Sequence, residues 1–100
     1  MVLADIISEL EDNLDRAERP RTGDVYRRPS NRVWLDNRNK VTLSHEVRSA
    51  LKTVYHEIDA WLDIVNSGLS PNIGSLQLDH IVSGLRPTLP SVIAKLRELQ

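Results

Sequence analysis

The chain contains no cysteine and no phenylalanine, and its aromatic residues are limited to Tyr26, Trp34, Tyr55 and Trp61. Without thiols there is no disulfide, no thiolate nucleophile and no cysteine-ligated zinc. With so few rings, a core must be built mainly from Leu, Ile and Val, which suits helix-on-helix packing. Long apolar runs are also missing. The longest are a few residues, against the roughly 20 needed to span a bilayer. Met1–Ala4 gives way at once to acidic residues rather than to the apolar stretch of a signal peptide. These absences predict a soluble, cytoplasmic protein with no membrane span. What is present fits that expectation: 100 residues, enough for one domain, with 40% apolar and 27% charged side chains, a balance typical of folded rather than disordered chains.

Positive charge is absent from residues 1–15, which hold five acids and no base. Residues 16–40 reverse this with eight bases (Arg16, Arg19, Arg21, Arg27, Arg28, Arg32, Arg38 and Lys40) against three acids. The remainder is close to balanced, so a net charge of −1 conceals an asymmetry.

The predicted elements follow from periodicity and punctuation. In "LADIISELEDNLDRAE" the apolar residues Leu3, Ile6, Ile7, Leu10, Leu14 and Ala17 make a helical stripe, with the acids on the other face, predicting a helix over about 3–19 that Pro20 ends. Residues 20–42 contain prolines, a Gly-Asp pair and no apolar period, and predict an arginine-rich loop or arm. Within it "VWLDN" reads as a short helical turn anchored by Trp34; a hairpin pairing "DVYRR" with "NRVWL" is the alternative. Ser44 is placed to cap a long helix over about 43–66, which Gly68 and Pro71 stop. Ser75 then caps a shorter helix over about 75–84, with Leu76, Ile81 and Leu85 as its apolar residues. Gly84 and Pro87 break the chain, and Thr88 caps a last helix over about 88–99, whose stripe is Leu89, Val92, Ile93, Leu96 and Leu99. The fold class expected is an all-α, three- to four-helix bundle in a single domain spanning 1–100.

The middle helix carries the most regular pattern. Val47, Leu51, Val54, Ile58, Trp61 and Val65 recur in steps of four, three, four, three and four. Tyr55 and Leu62 widen the stripe to about three positions in seven, the width of a helix buried among several neighbours rather than of a bare two-stranded coiled coil. Leu51, Val54, Ile58, Trp61 and Val65 are therefore expected to form a packing seam on the chain's own helices, with surplus apolar surface buried by a second copy, a dimer being favoured.

The segments "ELEDNL" (Glu9–Leu14), Val33-Trp34 and Tyr55-His56-Glu57-Ile58 together resemble a loose group of small, uncharacterised prokaryotic helical proteins. The resemblance implies a helical fold and carries no activity. Many members have an N-terminal membrane helix, and this sequence departs from the pattern by lacking one.

Motifs with chemistry are few. His56, Asp59 and Asp63 share a helical face and could together hold a divalent cation, although such a face is more often simply solvated. "HEIDA" begins like the zinc motif H-E-x-x-H, but Ala60 stands where the second imidazole must be. His45 and His80 stand alone near helix starts. No catalytic residue, cofactor or metal site is assigned. Arg21, Arg27, Arg28 and Arg32, interleaved with Tyr26 and Trp34, could contact phosphates while rings stack on bases; the competing reading pairs these arginines with the acidic first helix. The sequence thus predicts a non-catalytic interaction or assembly protein, self-associating or held by a protein partner. A small nucleic-acid-binding regulator of the antitoxin type is the first alternative and a metal-dependent enzyme the second.

Overall fold

In the computed structural model, which describes residues 2–22, 25–67 and 71–100, four helices follow one another: α1 (Val2–Glu18), α2 (Arg32–Asn37), α3 (His45–Asn66) and α4 (Pro71–Glu98). Between α1 and α2 lie two-residue strands, β1 (Arg21–Thr22) and β2 (Val25–Tyr26), paired antiparallel with Arg21 opposite Tyr26. The all-α bundle is what the structure shows. α4 packs against both α1 and α3. At about 1.5 Å per residue its 28 residues account for the 41 Å long axis of the molecule.

α3 begins where its cap places it: the Ser44 hydroxyl accepts from the Val47 N–H at 3.3 Å. Leu51, Val54, Ile58 and Trp61 lie buried, Val65 half-buried, and Tyr55 and Ile64 join them. The Trp61 indole N–H is enclosed without an acceptor. Gly68, the expected left-handed stop, lies outside the described residues. The α3 C-cap is Ser67, in ordinary right-handed conformation.

The expectation of two helices after residue 70 is corrected. α4 is continuous through Gly84, Pro87 and Pro90. Pro71 opens it, at the first-turn position where a missing N–H costs nothing, so Ser75 does not start a helix; its side chain lies outside the described ones. Thr88 is not a cap either, because its hydroxyl donates to the Gly84 carbonyl at 2.8 Å within the helix. The physical reason is a second seam. Leu78, Val82, Leu85, Leu89, Val92 and Leu96 repeat the four-three rhythm of α3, and all six are buried. An interior proline costs about 3 kcal/mol in lost hydrogen bonding and crowding, whereas each buried aliphatic side chain returns roughly 1.5–3 kcal/mol. Six such side chains in one register outweigh two prolines, whose rings stay outside the buried stripe. Leu76 and Leu99, expected in the apolar stripes, are instead 78% and 52% exposed.

The loop is also more ordered than expected. "RVWLDN" is the helical turn α2, and the hairpin alternative fails: the strand before it pairs with Arg21–Thr22 and not with "NRVWL". Asp24 lies outside the described residues.

If the seam holds α4 straight against its prolines, relieving them stabilises the fold. Pro87→Ala is expected to raise unfolding stability by about 1–3 kcal/mol, the helix-propensity gain less the entropy proline removes from the unfolded chain. Leu85→Ala is expected to lower it by about 2–5 kcal/mol. Urea denaturation followed by circular dichroism measures both; an unchanged or lowered midpoint for Pro87→Ala would show that α4 is bent at this point.

Candidate functional site

One face of α1 carries Ile6, Glu9, Leu10, Asn13 and Ala17, and all five are buried. Two of them are polar. Glu9, placed by the sequence pattern among the solvated acids, is only 5% exposed. Among the described residues its carboxylate forms no salt bridge, and it is held by four donors. Oε2 accepts from the Ser30 hydroxyl at 2.9 Å and the Val33 N–H at 2.8 Å; Oε1 accepts from the Trp34 N–H at 3.2 Å and the Tyr55 hydroxyl at 2.6 Å. Val33 and Trp34 are in the first turn of α2, whose amides have no partner within the helix. Asn31, at the N-cap position, supplies no side-chain cap, so Glu9 supplies one from a different helix.

Asn13, one turn further along α1, completes the clamp. Its Nδ2 donates to the Ser30 carbonyl at 2.7 Å and its Oδ1 accepts from the Ser30 N–H at 2.9 Å. Arg16 donates to the same Oδ1 at 2.9 Å. On the other side Asn31 donates to Asp59 of α3 at 2.7 Å. Trp34 lies flat on Tyr55, ring centres 5.2 Å apart and planes 8° from parallel. Burial, first, and then the adjoining Glu9 carboxylate push the Tyr55 hydroxyl well above the ordinary phenol range.

This geometry redistributes the residues expected to contact nucleic acid. Trp34 is 5% exposed and already stacked, so it does not offer a face to a base. Arg27 is engaged with α1, donating to the Asp15 carboxylate at 3.0 Å and more weakly to the Asp15 and Arg19 carbonyls. That bond from Arg27 holds the Asp15 carboxyl below its usual range. Arg21 lies over the Tyr26 ring at 5.0 Å and donates to its hydroxyl at 3.0 Å. Arg28 and Arg32 are exposed, but Arg32 shares its cleft with Asp5, Asp12 and Asp36. Of the five, Trp34 and Arg27 are thus engaged within the fold and Arg21 with Tyr26.

The carboxylate–histidine face of α3 does not assemble into a metal site. Among the described residues no three His, Asp or Glu side chains stand where one ion could bind them, and Asp59 is engaged by Asn31. No helix among the described residues is long and apolar enough to cross a membrane.

An open, largely apolar groove lies elsewhere. α1 runs antiparallel along the later half of α4, where Ala17 accepts from Arg86 at 2.9 Å and Glu11 meets Arg97 at 2.8 Å. On the helical wheel of α4, Arg86, Pro90, Ile93 and Arg97 face α1, while Gln77, His80, Ile81, Gly84 and Thr88 lie across the seam on the opposite side. There α3 and α4 form a groove in two adjoining cavities of about 590 and 450 Å3. Ala60, Ile64, Leu76 and Ile81 supply its apolar part; Asp63 stands on the α3 side and His80 on the α4 side. A Cβ added to Gly84 meets nothing within 4 Å.

The sequence reading missed the clamp. Its trace is the rhythm Ile6–Glu9–Leu10–Asn13–Ala17, in which Glu9 and Asn13 fall on the apolar side of the helix. Spacing marks them as interior but cannot name their partners.

Two variants test the clamp. Glu9→Ala leaves two α2 amides and two hydroxyls without an acceptor, and is expected to cost about 3 kcal/mol or more. For Tyr55, the folded pKa lies above the unfolded value of about 10. The stabilisation is therefore complete below that pH and is lost as pH rises beyond it. Tyr55→Phe is expected to lower stability at pH 7 by about 1–3 kcal/mol and to flatten the decline above pH ~10. Denaturant midpoints at pH 7 and pH 11 read both effects; equal declines in the two proteins would show that the Glu9–Tyr55 bond does not govern this titration.

No family model matches the chain, and neither a curated protein nor a solved structure matches it.

Proposed function

We propose that the protein is a non-catalytic helical assembly module that self-associates through the α3–α4 groove. The observation that carries this is the one-sided cover of the α3–α4 layer. α1 lies on one side, while the other side presents a groove with Leu76 78% exposed. A twofold partner suits the groove's chemistry. In an isologous contact the same patch meets itself, so residue i of one copy faces residue j of the other and the reverse. Asp63 on α3 and His80 on α4 give such a patch opposite groups to exchange, around an apolar centre. Gly84 supports the same reading. A mid-helix glycine costs about 1 kcal/mol relative to alanine, and nothing among the described residues requires its missing Cβ. The bare backbone there lets a partner helix approach closely. The net charge of −1 adds little repulsion between copies.

The antitoxin-like nucleic-acid reading draws less support, since Trp34 is stacked and Arg27 is paired. The metal-enzyme reading draws none from the His56, Asp59 and Asp63 geometry.

Light scattering across a concentration series tests assembly. The wild-type chain is expected to shift toward a dimer as concentration rises. Ile81→Lys, which places a charge in the groove, is expected to remain monomeric with unchanged helicity. Gly84→Leu is expected to do the same while leaving the isolated fold at least as stable. A wild-type chain that stays monomeric at high micromolar concentration, or an Ile81→Lys variant that dimerises as well as wild type, overturns the proposal.

A further inference from the structure

Arg19, Arg27, Lys95 and Arg97 each face a carboxylate. Arg38, Arg48 and Lys52 do not, among the described residues. With Trp34 and Asn39 these three line a cleft of about 250 Å3 between the end of α2 and the first turns of α3, and none of its lining residues is acidic.

Arg48 is fixed in place. Its Nη1 donates to the Arg38 carbonyl at 2.8 Å and its Nη2 to the Val41 carbonyl. Both partners are neutral, so the guanidinium is positioned without losing its charge. A guanidinium carries five N–H donors, and these two bonds leave others for a ligand. Lys52 stands one helical turn beyond Arg48, a like-charge spacing that is unfavourable unless an anion lies between. Trp34 forms one wall of the cleft; its side chain is 5% exposed and is held against Tyr55. The cleft therefore gathers three cations and no carboxylate, a set whose complement is an anion with several acceptor oxygens. Guanidinium and ammonium groups together favour a phosphoryl group.

We infer that this cleft is a binding site for a phosphate-bearing anion, with Arg48 as its pre-positioned donor and Arg38 and Lys52 closing on the ligand. The inference is independent of self-association, because the cleft and the α3–α4 groove share no residue.

Trp34 provides the reporter. Trp61→Phe removes an indole N–H that has no acceptor and leaves Trp34 as the only tryptophan in the chain. In that background, titration with inorganic phosphate at low ionic strength is expected to give a saturable change in Trp34 emission. Lys52→Gln removes an exposed charge and is expected to weaken binding about tenfold, as is Arg48→Gln, each losing one charge-assisted hydrogen bond. Arg28→Gln and Arg32→Gln, which lie outside the cleft, are expected to leave it unchanged. Parallel titrations with a phosphomonoester and a single-stranded oligonucleotide separate the sources of the phosphate. Preference for the monoester marks a small-molecule ligand, and affinity that grows with length and falls steeply with salt marks a nucleic-acid backbone; either supports the site. The inference is overturned if none of the three ligands produces a saturable change, or if the change survives both Lys52→Gln and Arg48→Gln.

Discussion

Burial of one straight apolar stripe on α4 is the constraint on which the fold rests. Leu78, Val82, Leu85, Leu89, Val92 and Leu96 face inward through two prolines that would end most helices. Both other long helices depend on that stripe, since α4 is the element against which α1 and α3 pack. The register is antiparallel on each side: Lys95 meets Glu46 at 3.7 Å near the start of α3, and Arg97 meets Glu11 near the middle of α1. These exposed ion pairs contribute little energy. They report an alignment that the aliphatic side chains determine.

A second constraint is polar. The buried carboxylate of Glu9 is expensive to remove from water and is tolerated because four donors converge on it. Those donors come from the connection after α1, from the first turn of α2 and from α3. One side chain therefore fixes the position of a segment that sequence composition presents as a free arm. The consequence reaches the surface. With Ser30, Asn31 and Trp34 held down, the arginines of this segment are sorted by geometry: Arg27 turns back to α1, while Arg38 and Arg48 are brought together beyond α2.

The molecule thus presents two unlike open surfaces. The α3–α4 groove is mainly apolar and lies on the side of the layer away from α1. The cleft beside Trp34 is basic and shares no lining residue with the groove, although its Lys52 adjoins Thr53 of the groove along α3. An apolar groove suits a partner that can exclude water over an area, whereas a small basic cleft suits a compact anion. Because the two surfaces share no lining residue, both can be occupied together.

Much of this architecture was legible in the sequence, for physical reasons that can be assigned residue by residue. The four-three spacing from Val47 to Val65 determined that α3 is a helix with one buried face, and Ser44 determined where it starts, because both depend on neighbours within a turn or two. The same holds for α1 and its end at Pro20. The continuity of α4 was decided by tertiary structure, because local rules rightly penalise Gly84, Pro87 and Pro90 and only packing against α1 and α3 supplies the opposing energy. The role of Glu9 was likewise decided in three dimensions. Its spacing from Ile6 and Leu10 places it on the inner side of a helix, but a carboxylate there is stable only if Ser30, Val33, Trp34 and Tyr55 arrive from three other segments. Sequence determined the periodic elements through short-range geometry; which polar groups are buried, and which cations are left unpaired, depended on contacts between residues as many as 86 positions apart.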